Sequence, residues 1–206
     1  MKEVRYMLER VLALFIPYGI RSVTMEDIAR ELGVSKKTLY TEFEDKDDLI
    51  RRVIDFDNSQ SRTFYEEIYE SDFNAIQEIF LVNSRIHSFR SRYSATFKHD
   101  LKRYYPEIYR SWVREKRAQM YKVIIENLRK GKLEGIYREE IREEAIGSLY
   151  LARMEMLDHS DIIQEQTTGS YEFMKEIFSY HLHGICNEKG LKILSRQNEK
   201  MENLQE

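Results

Sequence analysis

Cys186 is the only cysteine in the 206-residue chain. No intrachain disulfide can form, and a reducing cytoplasm is the simplest home for such a sequence. Proline and glycine are also scarce, with two and eight copies, which permits long uninterrupted helices and leaves little material for flexible linkers. No apolar run approaches the roughly 20 residues that a bilayer-crossing helix needs. The stretch Val11 to Ile16 follows Lys2 and Arg5, but Glu3 and Glu9 interrupt it and Pro17 and Gly19 end it. It therefore reads as a buried first helix rather than a secretory signal.

Positive charge is not in excess either. Lysine plus arginine number 33 against 36 acids, a formal charge of -3 with a pI near 6.0, so contact with a polyanion must rest on a local patch. There is no Walker loop, no dinucleotide glycine fingerprint and no nucleophile elbow. The GKLEG at 131 to 135 reads as a turn. His181, His183 and Cys186 lie within six residues, yet two histidines spaced by two face different sides of a helix, so no metal is expected. A helical enzyme built on His87 or His99 lacks any matched acid and base positions. The expectation is a non-enzymatic chain without cofactor.

What is present is charge and helical periodicity: 33% of residues are charged and 42% apolar, ordinary for an all-α protein. The organising stretch is Thr24 to Leu49. Ile28, Ala29 and Leu32 form a short apolar-periodic helix that runs into Gly33, and Leu39 and Phe43 begin another on the far side of a three-residue turn. That is helix-turn-helix spacing. Thr24 and Asp27 form a capping-box pattern, Gly33 supplies a left-handed exit and Ser35 a cap for the second helix. Lys36 and Lys37 then sit in the first turn of that helix, and Lys46 follows Asp45 at the next helix start. Cations there oppose the helix dipole, but together with the free N–H groups they would hold an anion. Phosphate is the natural candidate, with Thr38, Tyr40 and Thr41 facing outward beside the lysines.

Around this stretch the periodicity predicts a covering helix over Arg5 to Tyr18, with Leu8, Val11, Leu12 and Phe15 inward, and a long helix from Asp45 to about Glu70 that connects the reader to the rest. Further helices are predicted at Asp72 to Arg90, Ser94 to Lys102, Pro106 to Lys130, Arg138 to Leu157 and Ser170 to Asn187. His159 to Gly169 reads as a mobile loop, and the tail after Ser195 as frayed. Basic residues concentrate again from Arg85 to Arg117, which allows capture of an anionic ligand, although solvated helix faces paired with nearby acids are the favoured reading. Tyr65, Phe89, Phe97, Trp112 and Tyr150 are candidates to wall an apolar pocket.

The run Ile28, Gly33, Val34, Ser35, Thr38, Leu39, Tyr40, Phe43, Lys46 and Leu49 resembles the N-terminal domain of the TetR family of transcriptional regulators, over roughly the first quarter of the chain. Lys37 departs from a frequent glycine, and Glu42 from a frequent histidine. The resemblance implies a helix-turn-helix DNA-binding domain at 1–48 and a helical ligand-binding and dimerisation domain at 49–206. It implies phosphate contacts at Thr24, Thr38, Tyr40 and Lys46, and base reading from the exposed start of the second helix. It also implies a homodimer joined through the last two core helices, with Leu149, Met156, Met174, Phe178 and His181 as candidate interface residues. A cytoplasmic repressor, released from a palindromic double-stranded operator by an unknown small-molecule effector, is the function that follows. The alternative is a non-transcriptional architectural or protein-interaction relative of the same fold.

Overall fold

The computed structural model describes residues 2–159 and 171–202, with a few side chains inside those helices left out. The expected loop at 159 to 169 lies outside the described residues from position 160 onward. Ten helices are described: α1 (Lys2–Tyr18), α2 (Met25–Leu32), α3 (Lys36–Glu42), α4 (Lys46–Tyr69), α5 (Ala75–Arg92), α6 (Ala95–Tyr104), α7 (Pro106–Leu133), α8 (Glu143–His159), α9 (Tyr171–Ile185) and α10 (Glu188–Glu202). They group into two compact units, Met1–Glu67 with Asn83–Arg117, and Ile68–Val82 with Ala118–Glu206. The boundaries fall inside α4, α5 and α7.

The core of the first unit grows from helical spacing. Met7, Leu8, Val11, Leu12 and Phe15 share the buried face of α1, against Ile28 and Ala29 of α2, Leu39 of α3, and Phe43. Phe97 and Leu101 of α6 belong to the same cluster. A polar tie accompanies this packing: the Arg21 backbone N–H donates to Asp100 Oδ2 at 2.9 Å, and Asp100 is buried. Gly19, at φ 81°, permits the approach, because a Cβ there would stand 2.7 Å from Thr96 Cγ2 and 2.8 Å from Asp100 Oδ2.

Asp57 of α4 is a second polar centre within this unit. Its carboxylate accepts from the Tyr93 hydroxyl, lies 3.0 Å from Lys116 Nζ, and takes the Trp112 indole N–H at 3.3 Å. Lys116 also donates to Ser61 Oγ at 2.7 Å. Burial pushes the Lys116 ammonium pKa down while the adjacent Asp57 opposes that shift. The donors come from α7 and the α5–α6 connection, so one carboxylate of α4 ties two other segments to it.

The second unit departs from the predicted layout in three places. Residues 138 to 142 are not helical: Arg138 N donates to Ile185 O at 2.9 Å and Asn187 N to Ile136 O at 3.1 Å, forming an isolated bridge between Tyr137 and Cys186. α8 therefore starts at Glu143. Gly131 belongs to α7 rather than to a turn, and its missing side chain makes room for the Tyr137 ring, which a Cβ would meet at 2.0 Å. The tail after Ser195 continues α10, anchored by buried Leu194. A buried network ties the unit together: Asn127 donates to the Ala75 carbonyl at 2.8 Å and accepts from the Tyr137 hydroxyl at 3.1 Å, while Lys130 pairs with buried Glu78 at 2.5 Å.

Candidate nucleic-acid interface

Thr24 caps α2 in both directions. Its hydroxyl oxygen accepts from Asp27 N at 3.1 Å, and Asp27 Oδ2 accepts from Thr24 N at 3.0 Å, which is the reciprocal capping box. The Thr24 hydroxyl beside Asp27 holds that carboxyl below its ordinary pKa. Gly33 ends α2 at φ 67°, where Val34 N reaches back to Ala29 O at 3.0 Å. Ser35 then accepts from Thr38 N at 3.0 Å and caps α3. The capping signals read at Thr24, Gly33 and Ser35 are each realised as hydrogen bonds.

These caps fix which side of α3 meets solvent. Leu39 and Phe43 are fully buried, whereas Ser35, Lys36, Lys37, Thr38, Tyr40, Thr41 and Glu42 are exposed. Tyr40 is 49% exposed. Lys36 pairs with Glu26 of α2 at 3.0 Å, while the Lys37 ammonium has no carboxylate partner among the described residues. Thr41 donates its hydroxyl to the Lys37 carbonyl at 2.9 Å.

Lys46 behaves differently from the other two lysines. Its ammonium donates to the Ile20 carbonyl at 2.7 Å, and burial lowers its pKa against the pull of Asp100, Asp47 and Asp27. It ties the start of α4 to the α1–α2 turn. Sequence reasoning missed this, and missed Asp100, because both contacts join residues far apart in the chain: 26 positions for Lys46 and 79 for Asp100.

The remaining candidates fall in separate places. Phe97 and Trp112 pack with Tyr93 in the core of the first unit, and Tyr65 lies edge-on to Phe64. Tyr150 is buried in the second unit beside His181, with ring centroids 5.0 Å apart. Phe178 is also turned inward, edge-on to Phe80 at 5.1 Å. Leu149 is 61% exposed and Met174 half-buried. The side chains of Phe89 and Met156 lie outside the described residues. No group of three His, Cys, Asp or Glu side chains converges as a metal site among the described residues.

A capped helix pair with an exposed, lysine-bearing second helix, followed by further helices, defines a helix-turn-helix protein. Residues 8–53 match the family model described as bacterial regulatory proteins, tetR family. Over this domain the chain is similar to the TetR family. It is 36% identical over 80 residues to an HTH-type transcriptional regulator of Staphylococcus aureus (strain USA300), a match that takes in 37% of this chain and 43% of that protein. The chain thus spans less than half the length of the curated relative it matches.

Solved structures extend the likeness of fold to most of the chain. The reduced form of E. coli NemR superposes with a TM-score of 0.69 at 13% identity, covering 91% of this chain and 98% of that one. A gamma-butyrolactone receptor described as ArpA-like gives 0.63 at 11% identity, with 98% and 96% covered. FadR of Bacillus subtilis, solved with stearoyl-CoA, gives 0.59 at 15% identity, with 87% and 97% covered.

Proposed function

We propose that this protein is a sequence-specific transcriptional regulator, acting as a homodimer on a palindromic operator and released from it by a small-molecule effector. The observation that carries the reading is the outer face of α3, where Lys37, Thr38, Tyr40 and Thr41 are exposed on a helix whose inner face, Leu39, is locked into the core. Lys36 and Lys37 are assigned to base edges, and Thr24, Thr38 and Tyr40 to phosphates, with Ser35 and Thr41 beside them. Residues 1–48 would carry these contacts, and 49–206 the effector and the dimer. The fold likeness to regulators solved with ligands supports the effector part.

The dimer reading is supported by an unpartnered face in the second unit. α8 exposes Ala145, Ser148, Leu149 and Ala152 along one side. α9 exposes Tyr180, at 84%, and Gly184, whose missing side chain would meet nothing within 4 Å. Small residues around large exposed ones suit close helix packing against a second copy. Two α3 helices related by a two-fold axis would then meet major grooves about 34 Å apart, or a multiple of it, which is why the operator should be palindromic.

Binding of the purified protein to DNA flanking its own gene, in competition with excess random duplex at stated salt, tests the reading. Tight, competitor-resistant binding to a palindrome near a promoter is expected. Binding that random duplex abolishes, or specific sites scattered far from promoters, would replace it with an architectural role.

A further inference from the structure

Within the second unit, α8 and α9 bring together a set of polar groups that the described residues satisfy only in part. Arg153 of α8 donates from Nη1 to the Ile177 carbonyl of α9 at 3.2 Å, and its guanidinium lies over the Tyr150 ring at 4.3 Å. Its Nε is shut off from solvent and has no hydrogen-bond partner, and no carboxylate among the described residues lies within ion-pair distance of it. The Tyr150 hydroxyl, on a side chain 1% exposed, is buried against the Arg153 guanidinium, with no other hydrogen-bond partner among the described residues. The His181 ring stands edge-on to Tyr150, 5.0 Å between centroids. A guanidinium does not shed its proton at any pH where the protein functions, so this charge stays in place with no carboxylate against it among the described residues.

We infer that Arg153, Tyr150 and His181 form a recognition site for the carboxylate of a small molecule with an apolar body, which deepens the effector reading above and rests on it. With Nη1 held by Ile177, the edge left over is the one formed by Nε and Nη2, whose two parallel N–H bonds match a planar carboxylate. The Tyr150 hydroxyl supplies a third donor. His181 is neutral at ordinary pH, its pKa pushed down to about 4 by burial and by the Arg153 charge, so it donates an N–H without adding a second cation. One fixed positive charge favours a monoanion over a phosphate dianion. Phe178 and Phe80, edge-on at 5.1 Å and three residues along α9 from His181, offer the apolar surface for the rest of the molecule. Because Nε is sealed within the unit, a carboxylate on the surface of another macromolecule does not reach it, whereas a small molecule inserted between α8 and α9 does.

The test uses the full-length protein with acetate, benzoate and octanoate as probes, each against the matching amide and against sodium chloride at equal ionic strength. At least one carboxylate should raise the unfolding temperature saturably while its amide does not, and Arg153→Met should abolish that response while leaving the ligand-free protein at least as stable. Benzoate should also shift the Arg153 Nε–H resonance of the wild type saturably, a readout that stands if the variant fails to fold. Carboxylates that act no more strongly than chloride, an undiminished response in Arg153→Met, or an unmoved Nε–H resonance would overturn the site. Operator release is scored separately. Carboxylate binding that leaves DNA affinity unchanged would retain the site and remove the effector reading, and release of wild type and Arg153→Met by one uncharged molecule would do the reverse.

Discussion

Asp57 and Arg153 are both buried charges, and their surroundings differ in kind. Asp57 receives a hydroxyl, an indole N–H and an ammonium from two other segments, whereas Arg153 is met by one carbonyl oxygen and the face of a ring. A charge whose partners come from within the chain belongs to the fold, since removing it strands the partners. One with few partners of its own costs stability in the free protein, and the carboxylate inferred above would offset that cost. The same division separates the lysines of the reader: Lys46 is held by the Ile20 carbonyl, and Lys37 points into solvent.

The largest effect should come from breaking the satisfied cluster. Asp57→Leu leaves Lys116 as a buried cation beside Ser61 and deprives Tyr93 and Trp112 of their acceptor, so a loss of about 3–5 kcal/mol in urea unfolding is expected. Because Phe97 and Trp112 belong to the core that also holds α1, operator binding should fall with it. A change under about 1 kcal/mol would mean that Asp57 is as dispensable as an exposed ion pair, and the contrast with Arg153 would collapse.

His181 provides the next test, through pH. Its folded-state pKa near 4 lies below the ordinary 6.5, and the charged or titratable groups facing it are Arg153 and Tyr150 of α8. Between those values the unfolded chain binds the proton and the folded one does not. Stability is therefore complete above about pH 6.5 and declines as pH falls toward 4, by roughly 3 kcal/mol at most. His181→Gln should flatten that part of the profile; an unchanged slope would assign the decline to other groups. Bound carboxylate should reduce the decline, because it favours the protonated ring.

How far these centres could be read in the sequence follows from the distance over which their partners act. The reader is built from contacts three to five residues apart: Thr24 with Asp27, Ser35 with Thr38, Ala29 with Val34. Such spacings are visible in the chain itself, and the inward positions Leu39 and Phe43 follow from them. Asp57 looks like any acid on a long helix until Tyr93, Trp112 and Lys116 are brought to it across 36 to 59 positions. The start of α8 moved from Arg138 to Glu143 for the same reason, since Arg138 pairs with Ile185 in a bridge that local periodicity does not register. Gly131 is the clearest case: an isolated glycine suggests a turn, and only the Tyr137 ring lying against it explains why a helix carries one there.

Lys46 sharpens the comparison at a smaller scale. Its placement at a helix start predicts a phosphate contact, and its bond to Ile20 predicts a structural tie; one variant separates these. If the tie dominates, Lys46→Ala loses about 1.5 kcal/mol of stability, the worth of a hydrogen bond from a charged donor, and keeps the salt dependence of DNA binding. If the phosphate contact dominates, stability is little changed and the slope of log K against log salt falls by about 1. The structure favours the first outcome, because the ammonium is partly buried and already hydrogen-bonded.

Lys37 carries the smallest expected effect on the fold and the most specific one on function. Its side chain is exposed and pairs with no carboxylate among the described residues, so Lys37→Ala should leave the unfolding midpoint within about 0.5 kcal/mol of the wild type. Sequence preference is where it should register: selection from a randomised operator should relax at one position per half-site, at a cost of about 1–3 kcal/mol for the original base. Lys36→Ala should do less, since Glu26 already neutralises part of its charge. Uniform weakening across all sequences, with the salt slope lowered by about 1, would instead move Lys37 to the phosphate backbone. That would leave Tyr40 and Thr41 as the exposed groups of α3 for reading bases, and the same selection repeated with Tyr40→Phe would then locate the specificity.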